Sequence, residues 1–273
     1  MLKCAGVVKT LATLVSVLAF AQIAGAQSQV FSLPLKAEQL VGLKVEDTDG
    51  QKIGTVRNLI LDMRTGEVKF AVIGSGGLAG IHPTLRLAPA QIMSAATTKR
   101  ETLSINATLG QWKGAPTFNR SQLASLAEPA AARQITLYFI KTGTRMPGTS
   151  RNLSGTSDVR INTSSCTLKL ANDLIGRTVV NSEHQKLGEI VDLLVGFSQS
   201  HTAFAIVSTR KFFVRGREYA ISLRELTCAD GNSRLIVDTN ITTFQNAPPF
   251  SQQVWDTSSL TNPAVFSYSK PGQ

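Results

Sequence analysis

Three carboxylates crowd one short loop of the sequence GLKVEDTDGQKIG, residues 42–54, where Glu46, Asp47 and Asp49 lead into Gly50. Clustered oxygen ligands around a glycine turn are what a calcium loop requires. The spacing, however, fails: with Gly50 at the sixth loop position, Val45 and Val56 fall at the first and twelfth, where carboxylates are needed. A hairpin turn uses the same residues differently, because Asp and Gly accept left-handed backbone angles and Asp bonds its own backbone. The expectation is a turn, with a weak cation site as the competing reading.

Other chemistry-bearing groups are isolated. The run GSGGLAG, residues 74–80, has spacing near that of a phosphate-binding loop, but such a loop needs a helix to begin there, and His82-Pro83 and a strand pattern follow instead. His82, His184 and His201 stand alone on loops or turns, without metal-ligand spacing. Ser75 lacks the Gly-x-Ser-x-Gly elbow of a hydrolase nucleophile. These residues lead to the expectation of a non-enzymatic protein with no catalytic, cofactor-binding or metal-ligating set.

The N-terminus bears on where the protein works. Lys3 and Lys9 flank a basic start, Val7 to Ile23 is almost wholly apolar, and Ala24-Gly25-Ala26 forms a small-x-small cleavage signal before Gln27. Residues 1–26 are therefore expected to be a secretory signal peptide, giving a periplasmic or secreted protein that touches a membrane at most peripherally. Of the three cysteines, Cys166 and Cys228 would remain after cleavage, and an oxidising compartment favours joining them. Such a bridge would close a loop of 62 residues. In the chain-entropy model it would stabilise the fold by roughly 4 kcal/mol; free thiols are the alternative.

The formal net charge is +10, but it is unevenly placed: +3 in residues 1–36, +2 in 37–118, +5 in 119–170 and 0 in both 171–250 and the tail. The excess lies mainly outside the folded segments, so no nucleic-acid partner is expected.

Self-comparison shows why the loop at Asp47 recurs. Shifted by 134 residues, AEQLVGLKVEDTDGQKIGTVRNLILDMRTGEVKFAVI lies over ANDLIGRTVVNSEHQKLGEIVDLLVGFSQSHTAFAIV without a gap, and after a two-residue deletion Leu103, Ile105, Ala115 and Phe118 meet Leu235, Val237, Ala247 and Phe250. This is a duplicated unit. Under the shift, Cys166 and Cys228 correspond to Ser32 and Ser94. Each copy carries short alternating segments separated by turn residues: Leu43 and Val45, Ile53 to Asp62, Val68 to Val72, Leu85 and Leu87, then Leu103 and Ile105. Gly54 and Gly188, inside strand patterns, mark a bulge or a sharp bend. Between the copies, residues 119–134 read as a short helix or extended tail, ITLYFIK (135–141) as a strand, and residues 142–158 as a flexible linker.

With those residues in place, LVGLKVEDTDGQKIGTVRNLILDMRTGEVKFAVIGSGGLAGIHPTLRLAPAQI resembles a PRC-barrel domain. The likeness rests on the Leu-apolar-Gly opening, the glycine of the second strand, the Phe-Ala-Val strand and the Gly-Gly-x-x-Gly-Ile loop. The second copy departs at that loop, where Ser208 to Val214 replace Gly74 to Gly80. The resemblance implies a mainly β fold of two small antiparallel β-barrels joined by a linker. The division is residues 37–118 and 166–250 for the barrels, 119–165 for the tail and linker, and 251–273 for the C-terminal tail.

Fold likeness does not fix activity, and the function expected is a binding or scaffolding module of the bacterial cell envelope, with a protein or envelope component as partner. A second reading concerns residues 208–219, where Phe212 and Phe213 lie among Arg210, Lys211, Arg215 and Arg217. Aromatics with basic neighbours suit an anionic membrane or cell-wall surface. The alternative is that Phe213 caps the core and the cations are solvated.

Overall fold

The computed structural model describes residues 35–76, 83–95, 102–122, 129–146, 168–196, 203–209, 216–229 and 233–251. The expected signal peptide, and the C-terminal tail beyond Ser251, lie outside them.

The duplication is reproduced element by element. The first repeat runs β1 (Leu35–Lys36), α1 (Ala37–Leu40), β2 (Lys44–Glu46), β3 (Lys52–Asp62), β4 (Glu67–Ser75), β5 (Thr84–Pro89), a 3₁₀ turn (Ala90–Ile92), β6 (Met93–Ala95), β7 (Thr102–Ile105) and α2 (Leu109–Gly114). After α3 (Pro129–Lys141), the second repeat gives β8 (Leu168–Leu170), α4 (Ala171–Leu174), β9 (Thr178–Asn181), β10 (Lys186–Val195), β11 (Ala203–Ser208), β12 (Glu218–Ser222), a 3₁₀ turn (Leu223–Glu225), β13 (Leu226–Ala229), β14 (Arg234–Val237) and α5 (Ile241–Asn246). The two sheets have the orders β5-β4-β3-β2-β7-β6 and β12-β11-β10-β9-β14-β13. Neither is wholly antiparallel: β2 runs parallel to β7 and β9 to β14, because the chain returns to the first long hairpin from its far side.

Each sheet takes its seventh strand from the other repeat. β1 pairs with β10, Leu35 opposite Val195 and Lys36 opposite Leu194. β8 pairs with β3, setting Leu170, Lys169 and Leu168 opposite Ile60, Leu61 and Asp62. The short helices after these strands carry Leu40 and Leu174 into full burial, each worth roughly 1.5–3 kcal/mol of transfer free energy. Residues of both repeats therefore share one continuous apolar core. A smaller cluster, Leu194, Phe204, Ile206 and Ala220 with Phe250 against it, lies apart, and all six residues of β11 are buried.

Two bulges shape β3 and recur in β10. The pairing skips Ile53 and Leu187, each next to its strand glycine. A Cβ on Gly54 would lie 2.6 Å from the Gly74 carbonyl oxygen, and one on Gly188 would collide with that of Ser208. Glycine is thus required by the closeness of the neighbouring strand as well as by the bulge. The second bulge skips Arg57 and Val191, turning the next residues, Asn58 and Asp192, into buried positions.

The region between the repeats differs from its reading as a strand. ITLYFIK is the C-terminal part of α3, with Ile135 and Phe139 buried four residues apart. That spacing puts both on one helical face, and packing against Trp112 selects it over a strand. The stretch read as a flexible linker from residue 142 starts packed on the fold: Thr144 and Met146 are buried, the Asn106 side-chain amide donates to the Arg145 carbonyl at 3.1 Å, and residues 147–158 lie outside the described residues.

Candidate functional site

At the acidic loop, the Asp47 Oδ1 atom accepts the backbone amides of Asp49 at 3.0 Å and Gln51 at 2.8 Å, while Gly50 takes φ 75°. The second repeat reproduces this arrangement. Asn181 Oδ1 accepts from Glu183 at 3.0 Å and Gln185 at 2.8 Å, and exposed His184 holds φ 61° where Gly50 stands. Both loops are side-chain-closed turns. One Asp47 oxygen serves the turn, and the other, Oδ2, is buried with no hydrogen-bond partner among the described residues. Among the described residues no group of three or more His, Cys, Asp or Glu side chains is placed to hold a metal ion. His82, His201 and Gly77 to Gly80 lie outside the described residues.

The basic-aromatic loop is described only at its base. Thr209 donates its amide to the Arg217 carbonyl at 3.0 Å, and Arg217 donates its amide to the Thr209 hydroxyl at 3.1 Å, closing the hairpin between β11 and β12. Arg217 is exposed. Arg210, Lys211, Phe212, Phe213 and Arg215 lie outside the described residues. Cys228 sits on β13 opposite Leu235, half-buried against the core, whereas Cys166 lies outside the described residues, two positions before β8.

The most constructed polar arrangement is the junction between the repeats, which sequence reasoning missed. Asn58 Oδ1 accepts the amide of Leu59 at 2.8 Å and that of Asn172, from α4, at 3.4 Å. Asp192 Oδ1 does the same with Leu193 at 2.7 Å and with Glu38, from α1, at 3.4 Å. The pairs are related by the internal symmetry of the duplication. The available signal was one polar residue at the same place in two otherwise apolar strand ends. A further contact joins the repeats: the Ala203 amide donates to the Gly66 carbonyl at 2.8 Å, with Gly66 packed close to Arg224.

Charge at this junction is asymmetric. Burial pushes the Asp192 carboxyl above its ordinary range, and the Glu38 carboxylate adds to the shift; the amides of Leu193 and Glu38 and the Lys36 ammonium oppose it. Lys36 and Glu38 themselves pair at 3.7 Å. On the other side, burial lowers the pKa of Lys169, with the Arg177 guanidinium acting in the same direction and Asp173 against it. Arg177 donates from Nε to the Asp173 carbonyl.

Exchanged strands, paired bulges and repeated turns define a duplicated β unit, and comparison with family models identifies it. The PRC-barrel domain model matches residues 35–108 and 167–241, together more than half of the chain. The chain belongs to the PRC-barrel domain family, in two tandem copies. No curated protein matches it.

Proposed function

We propose that this protein is an exported, non-enzymatic scaffold of the cell envelope, periplasmic or secreted, in which two PRC-barrel repeats act as one body toward a protein or envelope component. The observation that carries the reading is the reciprocal strand exchange, because it unites the repeats while leaving their outer surfaces different. Arg57 on the first repeat is replaced by Val191, 45% exposed, on the second. Two repeats joined by strand pairing and a shared core, with related but unequal faces, suit holding partners in fixed relation. Membership of the family supports a binding module, and the apolar N-terminal run followed by Ala24-Gly25-Ala26 supports export. A bridge between Cys166 and Cys228 belongs to the same proposal. The test is crosslinking of the tagged full chain in cells, followed by fractionation and purification. Reproducible envelope partners on a chain starting at Gln27 are expected; an unprocessed chain in the cytosolic fraction overturns the reading.

A second reading, peripheral attachment to an anionic membrane or cell-wall surface through residues 208–219, is favoured by one observation. The Thr209–Arg217 hydrogen bonds close the base between β11 and β12, and Arg217 is exposed there. Liposome and peptidoglycan pull-downs with Phe212→Ala, Arg210→Ala and Lys211→Ala test it, and unchanged retention removes it.

A further inference from the structure

The two repeats end on equivalent helices, and among the described residues only the first is covered by a further helix. In the first repeat α3 lies over α2: Phe139 stacks on Trp112 with ring centroids 6.4 Å apart, and the Tyr138 hydroxyl donates to the Gln111 carbonyl at 2.7 Å. The Gln111 side-chain amide in turn donates to the Thr142 carbonyl at 2.7 Å. Leu109 and Gln111 are half-buried as a result. In α5 the same positions are Ile241 and Thr243, and both are exposed, Ile241 at 37%. Phe244, at the place of Trp112, is buried against Tyr219 of its own sheet.

Beyond each helix the chain sets out from the same place. Phe118 exchanges backbone hydrogen bonds with Leu85 on β5, at 2.8 and 3.1 Å, before the chain goes on to α3. Phe250 donates its amide to the Glu218 carbonyl on β12 at 2.6 Å, and the sequence then continues past Ser251, as it continues past Phe118 toward α3 in the first repeat. This continuation carries Val254, Trp255, Leu260, Val265, Phe266 and Tyr268, against one acid, Asp256, and one base, Lys270. An extended chain spans about 3.3–3.6 Å per residue, so Trp255, five residues beyond Phe250, is within reach of α5. Tethering also gives the segment an effective concentration on the order of millimolar, which a separate partner would have to exceed.

We propose that residues 252–268 dock on the exposed face of α5 around Ile241, with Trp255 among the contacts, and complete the second repeat as α3 completes the first. The occupant is this chain's own C-terminal segment, held by apolar burial instead of charge.

The protein contains two tryptophans, Trp112 and Trp255, so subtracting the emission of the Trp255→Phe full chain from that of the parent isolates Trp255 without altering the first repeat. The difference spectrum is expected to be blue-shifted from its denatured position and protected from acrylamide, with no dependence on protein concentration. Placing Ile241→Asp in both chains should return the spectrum to the denatured position and raise quenching several-fold. Far-UV circular dichroism checks that this variant is folded. A Trp255 as accessible in the native parent as in denaturant overturns the proposal, and so does protection that survives Ile241→Asp in a folded chain. Protection that vanishes on dilution assigns the face to a second copy and also overturns it. If Ile241→Asp does not fold, Ile241→Thr on the same pair of chains supplies the comparison, with a smaller shift expected in the same direction.

Discussion

Asp192→Asn should stabilise the protein at neutral pH. The residue is the counterpart of Asn58: each follows a bulge, is buried, and accepts an amide from a helix of the other repeat. Among the described residues, Asp192 differs in leaving Oδ2 buried with no hydrogen-bond partner, whereas no Asn58 atom is in that state. Such an atom costs about 1–3 kcal/mol, more when charged. Because burial raises the folded-state pKa above the ordinary value of 3.8, the folded protein binds the Asp192 proton more tightly than the unfolded chain does. Its contribution to stability is therefore greatest below pH 3.8, falls as pH rises through the raised pKa, and stays at its minimum above it. Asparagine is neutral throughout. Urea titrations of parent and variant followed by circular dichroism should show the variant more stable by about 1 kcal/mol at pH 7.5, with the gap closing toward pH 4. The difference between the chains cancels the other titrating groups. A variant less stable than the parent at neutral pH, or a gap that ignores pH, would refute the assignment of the cost to this carboxylate.

Glycine substitutions separate close approach from backbone conformation. Gly54→Ala and Gly188→Ala each force a Cβ into a neighbouring strand's carbonyl and should cost about 1–3 kcal/mol or more in urea stability. Gly50→Ala meets nothing within 4 Å and bears only its positive φ, so a loss near 1 kcal/mol is expected there; equal losses at all three would sink the close-approach account. Thiol labelling of denatured, unreduced, processed protein should find no reactive cysteine if Cys166 and Cys228 are joined, and two labelled thiols would show that they are not.

Much of the fold could be read from the sequence because the duplication supplied an internal comparison. A gap-free overlay located the turns, and replacement of Asp47, Asp49 and Gly50 by Asn181, Glu183 and His184 kept what a turn needs while altering a cation site. The observed hydrogen bonds follow that reading. Periodicity located β3 and β10, since long apolar strands with an internal glycine have few alternatives. It failed at ITLYFIK, where β-branched and aromatic residues carry a strand propensity that the Trp112 contact overrides. It also missed the three-residue strand β6, too short for any period to register.

The junction was illegible for a different reason. Overlaying two copies shows which residues are equivalent, but equivalent strands can complete either sheet with the same pairings, and the connecting segment alone distinguishes the arrangements. Leu35–Lys36 and Leu168–Leu170 are short, and nothing in their own sequence names the edge they fill. Asn58 and Asp192 become interpretable only once the partner helix is known to come from the other repeat. Exchange also changes what a repeat is: the span beginning at Ala37 omits β1, which the second sheet requires, and the first sheet is completed by β8, more than a hundred residues after β3. Each half thus supplies part of the other's edge and core, so the two copies are held together by the same backbone pairing that builds each sheet.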